Sequence, residues 1–180
     1  EGALPLILAE QLAHRRRSAA LAATEVGARL VAVGTSPLPG APTITPNPRY
    51  ERMTEAFGLN GSPGSALLYR RVKAGDFWVE DNNSAYYNSY RNESQGGFDA
   101  SLPLSDPNGS ERLTNYPSQY GYSIVVNFNR APDRKTPYRG AGIFVHVRAG
   151  ATAGCIATSS ANVVTMLRTM RSGDTITIVA

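Results

Sequence analysis

The nine tyrosines, five phenylalanines and single tryptophan of this 180-residue chain all lie at or after Tyr50. Aromatic side chains dominate the area buried in a core, so one compact unit rarely divides them this sharply. The asymmetry places a boundary near residues 50–58 and predicts two parts, an appendage over residues 1–50 and a domain over residues 51–180. The length suits one ordinary domain with an appendage and not two full domains.

In the first part, Leu8, Leu12, Ala19, Ala22 and Val26 recur at spacings near three, four and seven and predict an amphipathic helix that Gly27 ends. Residues 29–35 (RLVAVGT) alternate as a short strand. Pro37, Pro39, Pro42, Pro46 and Pro48 then preclude regular structure and predict an extended connector. This helix and strand, with the sequence VGTSPLP and TPNPRYERM, resemble a piece of the glutamate-cysteine ligase type of carboxylate-amine ligase over about residues 3–56. Such a ligase holds two or more magnesium ions with several carboxylates and clamps a triphosphate. Residues 1–50 supply only Glu1, Glu10 and Glu25. The segment is therefore expected to be a helix-strand appendage without ligase activity of its own.

The second part reads as β-rich. Residues 123–129 (SIVVNFN), 142–148 (GIFVHVR) and 175–179 (TITIV) alternate or run apolar as strands do, and residues 77–79 start another. Between them, residues 80–115 are rich in Asn, Ser, Gly and Pro and predict solvated turns outside the core. One helix is predicted from Val163, Met166, Leu167 and Met170, capped by Ser159 or Ser160 and closed by Gly173. The expected fold is mainly β within the α+β class, a mixed β-sandwich with one C-terminal helix behind a helix-strand appendage.

Composition excludes several functions. The formal charge is +4, but only Arg15, Arg16 and Arg17 form a run and no aromatic residue lies near it, so a nucleic-acid surface is not expected. Cys155, His14 and His146 are the whole soft-ligand inventory, without HExxH or CxxC spacing, so no metal is expected. No stretch approaches the eighteen apolar residues of a membrane span. The short apolar run at residues 5–9 precedes its arginines, the wrong order for a signal peptide.

The chemistry-bearing stretch is GAGIFVHVRAGATAGCIATS, residues 140–159. His146 sits on an apolar strand, residues 148–154 form a small-residue connection, and Cys155 follows at once. An imidazole can take the proton of a thiol that is otherwise only a few per cent ionised near neutrality. Gly154 lets main-chain N–H groups approach a developing oxyanion. By themselves these residues also fit a buried, inert cysteine.

Thr152, Ala153, Gly154 and Cys155, with His146 upstream, resemble the Ser/Thr-x-Gly-Cys signature and histidine of the L,D-transpeptidases, the YkuD-like enzymes of bacterial peptidoglycan. TEAFGLNGSPGSALLYRRV, DFWVEDNNSAYYN and ERLTNYPSQYGYSIVVNFNR extend the resemblance over about residues 52–180. It departs from the family at Ala153, where many members have histidine, and at Ala157, where they have Arg or Asn. The resemblance implies a cofactor-free transpeptidase in which Cys155 takes the acyl group of a stem tetrapeptide as a thioester and His146 is base then acid. N–H groups of Gly154 and Cys155 would hold the oxyanion, and Thr152, Tyr138 and Asn127 would touch substrate. Transfer to a second stem gives a 3→3 crosslink, and transfer to water an L,D-carboxypeptidase. Peptidoglycan stem peptides as partners, inhibition by carbapenem β-lactams and an extracellular or cell-wall location follow from the same resemblance. The alternatives are a non-catalytic chimera, joined within RMTEAFG, or an inactive ligase fragment.

The other candidates are weaker. Asp76, Glu80 and Asp81 lie among Asn and Ser and predict a solvated loop. Tyr86, Tyr87 and Tyr90 suit either a substrate groove or packing on a sheet.

Overall fold

The computed structural model describes residues 4–6, 19–23, 30–34, 51–131, 135–149, 152 and 155–179. Its centre is a run of strands whose side chains alternate between two apolar layers. Strand β9 (Ser123–Val126) pairs antiparallel with β10 (Phe144–Val147), and β10 pairs parallel with β11 (Ile156–Thr158). Ile124, Val126, Val145 and Ile156 face one layer, while Val125, Phe144 and Cys155 face the other. This is the period-2 pattern of strands buried on both faces.

On the first face lies the helix α1 (Ser160–Thr169), whose Val163, Met166 and Leu167 are buried against the sheet together with Met170. The Ser159 side chain accepts from the Asn162 amide and caps its start. The helix ends at Met170, which turns to extended backbone, and Gly173 belongs to the turn beyond it instead of closing the helix.

Strand β4 (Glu51–Gly58) joins β9 on the other side, with a register shift between Met53 and Ala56. That bulge puts Met53 and Ala56 on the helix face although they are three residues apart, and turns Phe57 to the opposite layer. Strand β5 (Leu68–Arg71) pairs parallel with β4, and β12 (Thr175–Val179) pairs antiparallel with it. The sheet continues from β12 through β3 (Leu30–Gly34) and β2 (Ala19–Ala23) to β1 (Leu4–Leu6).

The helix expected to include Ala19 and Ala22 is thus corrected at those residues: Ala19–Ala23 is a strand with five register partners in β3. Alanine and leucine carry no strong β preference, and ladder pairing to a strand that itself continues the main sheet overrides a helical spacing. Leu8, Leu12 and Val26 lie outside the described residues.

The second face is covered by a small antiparallel sheet, β7 (Ser89–Asn92), β6 (Asp76–Val79) and β8 (Glu111–Arg112), in that order. Residues 80–115 therefore do not form only solvated turns: Tyr87, Asn88, Ser110 and Leu113 are buried. Between the sheets, Phe57 meets Trp78, Tyr120 and Phe144 with ring centroids 4.9–6.2 Å apart, an aromatic layer built from both sheets. The chain is mainly β with one α-helix among the described residues, an α+β arrangement of packed sheets.

Candidate functional site

Register decides which side chains meet between the sheets. His146 pairs with Ala157 across the parallel ladder and with Ser123 across the antiparallel one, so it shares the aromatic face with Phe144. Cys155 lies two residues before Ala157 and projects to that face as well. Strand β11 lies beside β10, and both side chains line one cavity of about 360 Å³.

His146 is buried, 3% exposed as a residue. Its Nδ1 lies 3.2 Å from the Val147 carbonyl, which favours the proton on Nδ1 and leaves Nε2 as the basic nitrogen. The Tyr120 ring stands perpendicular to it at 5.6 Å. Burial pushes the imidazole pKa down from its usual value, and the nearby Arg148 charge acts the same way. The ring is held neutral and able to accept a proton.

Cys155 donates its thiol hydrogen to the Gly142 carbonyl at 3.3 Å. Burial pushes the thiol pKa far up, and Glu111, then Glu80, add to this electrostatically, while the backbone at Phe144 works the other way. The resting pair is therefore neutral thiol and neutral imidazole, not thiolate and imidazolium.

Gly142 is fixed in place by two requirements. Its φ is +64°, which favours glycine, and an added Cβ would lie 2.4 Å from Glu80 Oε1 and displace that carboxylate. Its amide donates to Asn88 Oδ1, which also accepts from Trp78 Nε1, while Asn88 Nδ2 donates to the carbonyls of Phe128 and Asn129. One buried amide thus ties the small sheet to the loop that carries the thiol's acceptor.

The remaining residues proposed from the sequence fall in different places. Thr152 lines the cavity and its hydroxyl donates to the Cys155 carbonyl, which orients the loop. Tyr138 lines the rim, is 57% exposed, and has a left-handed backbone with its amide on Asn82 Oδ1. Asn127 lies outside the cavity lining; it accepts from Thr54 Oγ1 and Arg130 Nη1, within a cluster where Arg130 and Arg70 both pair with Glu55. Gly154 lies outside the described residues.

Of two acids in the cavity, the sequence reading set Glu80 aside as a loop residue and did not single out Glu111. Glu80 and Glu111 line the same cavity from the small sheet. Glu80, expected in a solvated loop, is partly buried, and burial followed by the Glu111 charge pushes its carboxyl pKa well up. Glu111 rises to about 7 through burial, although it accepts the Tyr120 hydroxyl at 2.9 Å. Their neighbours gave no signal, because a carboxylate's place in a fold depends on strand pairing that local polarity does not encode. Asp76 is likewise buried, accepting from the Lys73 amide, Asn92 Nδ2 and the Tyr90 hydroxyl. Tyr87 is buried and lines the cavity, whereas Tyr86 is exposed under the Arg91 guanidinium. Among the described residues, no group of three or more His, Cys, Asp or Glu side chains is placed to hold a metal ion. No described helix is long and apolar enough to cross a membrane.

The described residues define a two-sheet module with a buried thiol–imidazole cavity. Comparison with known proteins reaches the other end of the chain. The family model for glutamate-cysteine ligase family 2 (GCS2) matches residues 7–72. A protein of Frankia alni named glutamate–cysteine ligase 2-2 is 59% identical over 44 residues, 24% of this chain and 12% of that relative. A like-named protein of Mycobacterium sp. (strain KMS) is 49% identical over 51 residues, 28% of this chain and 14% of its own. One of Mycolicibacterium vanbaalenii is 49% identical over 53 residues, 29% and 14%. The chain thus spans only 12% to 14% of the length of these relatives. No solved structure matches.

The similarity to GCS2 ligases runs past the expected boundary and includes β4 and β5, strands of the main sheet. It also corrects the enzyme class expected from the sequence. The matches are to ligases and none carries an L,D-transpeptidase or peptidoglycan description, so that assignment and its cell-wall terms are not retained.

Proposed function

We propose that the cavity is a thiol-dependent acyl-transfer site. A substrate carbonyl entering beside Cys155 is attacked by its sulfur as His146 Nε2 takes the thiol proton. The S–C bond forms as the leaving group departs with that proton, and an incoming nucleophile then releases the acyl group. Main-chain N–H groups at Gly154 and Cys155 are the proposed oxyanion donors. The observation that supports this reading is the shared cavity: a thiol just ahead of β11 and a neutral, oriented imidazole on the neighbouring parallel strand β10, both lining the same space. The high thiol pKa fits proton transfer concerted with attack, in place of a preformed thiolate.

The test is intact-protein mass spectrometry after incubation with an acylating probe, a carbapenem-type β-lactam. Ring opening by the thiol adds the whole probe mass. One adduct in the wild type, absent in Cys155→Ser and slowed at least about tenfold in His146→Gln, is expected from loss of a general base. An adduct that persists in Cys155→Ser refutes the reading.

A second reading is favoured by the family match. Residues 7–72 act as part of a carboxylate-amine ligase of greater length, in which this segment supports ATP-dependent amide formation. Thermal-shift titration with ATP and magnesium tests it: a saturable rise in Tm supports the ligase reading, and no shift at millimolar nucleotide removes it.

A further inference from the structure

We propose that the cavity takes a substrate bearing a cationic nitrogen, an ammonium or guanidinium group, which the carboxylates of Glu80 and Glu111 hold beside Cys155. The inference rests on the thiol reading of the same cavity and names the substrate class for it.

The two acids come from adjoining strands of the small sheet. Glu80 directly follows β6, and Glu111 opens β8, where it is the register partner of Trp78 on β6. They face the main-sheet residues Cys155 and His146 across one cavity. A partly buried carboxylate is ordinarily met by a guanidinium, an ammonium or several N–H donors. Here neither acid forms an ion pair with a described residue; Glu55 and Glu93 take the ion pairs seen. The Glu80 carboxylate accepts no hydrogen bond from a described residue, and Glu111 accepts one, from Tyr120. On the facing wall, the His146 ring meets the Val147 carbonyl at Nδ1, and its Nε2 has no described hydrogen-bond partner. Three polar groups on opposite walls are thus left open toward the same space.

The other charged groups around Cys155 favour the same ligand. Asp106, from the loop ahead of β8, adds a third carboxyl to the lining, and Arg148, just past β10, is the cation there. Tyr116 and Tyr120 supply hydroxyl-bearing rings, and both titrate high because of burial and, next, the Glu111 charge. In the empty cavity burial, and for Glu80 next the Glu111 charge, favours the protonated carboxyls. A ligand cation replaces those protons, removes the negative field that opposes ionisation of Cys155, and leaves the reacting carbon of its own molecule beside the sulfur.

Methanethiosulfonate reagents of three charges test this on the full chain. Each is attacked by the Cys155 sulfur with release of methanesulfinate and formation of a mixed disulfide, followed by mass spectrometry. The 2-aminoethyl reagent is expected to outpace the 2-sulfonatoethyl reagent by about thirtyfold or more, with the neutral methyl reagent between them, from charge attraction in a poorly solvated cavity. Glu80→Gln with Glu111→Gln is expected to collapse that ratio to within about threefold. Should the double variant fail to fold, butylammonium against butanol replaces it: slowing of the methyl reagent by the amine alone supports the inference. Labelling by the methyl reagent without any charge preference, or equal protection by amine and alcohol, overturns the cation site while the thiol reading stands. Absence of labelling by all three overturns the thiol reading and this inference with it.

Discussion

Asn88 is the point where the fold and the candidate site share one side chain, so its replacement by alanine should register in both. Asn88 is 2% exposed and its side chain makes four hydrogen bonds of 2.9–3.1 Å, to Trp78 Nε1, the Gly142 amide, and the carbonyls of Phe128 and Asn129. Truncation orphans two buried donors, at about 1–3 kcal/mol each. The backbone at Asn88 has φ +59°, a left-handed conformation that asparagine tolerates and alanine adopts at a further cost of about 1 kcal/mol. Allowing for partial relief by water entering the space, the expected loss is about 3–5 kcal/mol, a large share of a typical domain's stability. Trp78 is the only tryptophan and is fully buried, so its fluorescence follows urea unfolding without a label. The midpoint should fall by roughly 1.5–3 M. Asn83→Ala, at an exposed position in the same loop, should cost under about 0.5 kcal/mol. In folded Asn88→Ala protein the Gly142 carbonyl loses its anchor, and Cys155 should react faster with iodoacetamide. A stability loss below about 1 kcal/mol would refute the assigned network.

Other consequences are sharper in sign than in size. Glu55→Gln leaves Arg130, whose side chain is only 13% exposed, without its carboxylate and should cost about 3 kcal/mol by the same urea assay, whereas an indifferent variant would show that pair to be dispensable. The Glu111 carboxyl titrates near 7 in the folded chain against an ordinary value of 4.5, so folding favours its protonated form. Its contribution is present in full below about pH 4.5 and is lost as pH rises through 7; the urea midpoint should decline over that window, and Glu111→Gln should flatten the decline. The Tyr120 hydroxyl holds the Glu111 value down, so Tyr120→Phe should move the decline to higher pH, and an unchanged profile would count against the Tyr120–Glu111 bond.

How much of this was legible in the sequence depends on the range of the interaction. The β9, β10 and β12 runs and the apolar face of α1 are local periodicities, and they appear close to where the sequence puts them. Strand β4 was hidden because ERMTEAFG breaks its alternation at a bulge, which only its pairing with β9 reveals. Ala19–Ala23 shows the opposite error, a helical spacing that becomes a strand when β3 offers a ladder. That Cys155 and His146 share one face could be suspected from a short connection after an apolar strand, and the parallel register sets both there. Glu80 and Glu111 gave no such signal: thirty-one positions apart, they meet only because β6 pairs with β8. The enzyme class was where resemblance misled most, since the comparisons reach residues 7–72 and point to ligases.

The measurement that bears most directly on the thiol–imidazole site is the pH dependence of Cys155 alkylation by neutral iodoacetamide, in wild type and His146→Gln. With His146 as the base, the wild-type rate should rise with an inflection below 6.5, as the lowered imidazole pKa requires, and then level off. His146→Gln should lose that limb and react only at alkaline pH, where the thiol ionises unaided. Superimposable profiles for the two proteins would contradict the account, because Cys155 would then be reacting without its neighbour.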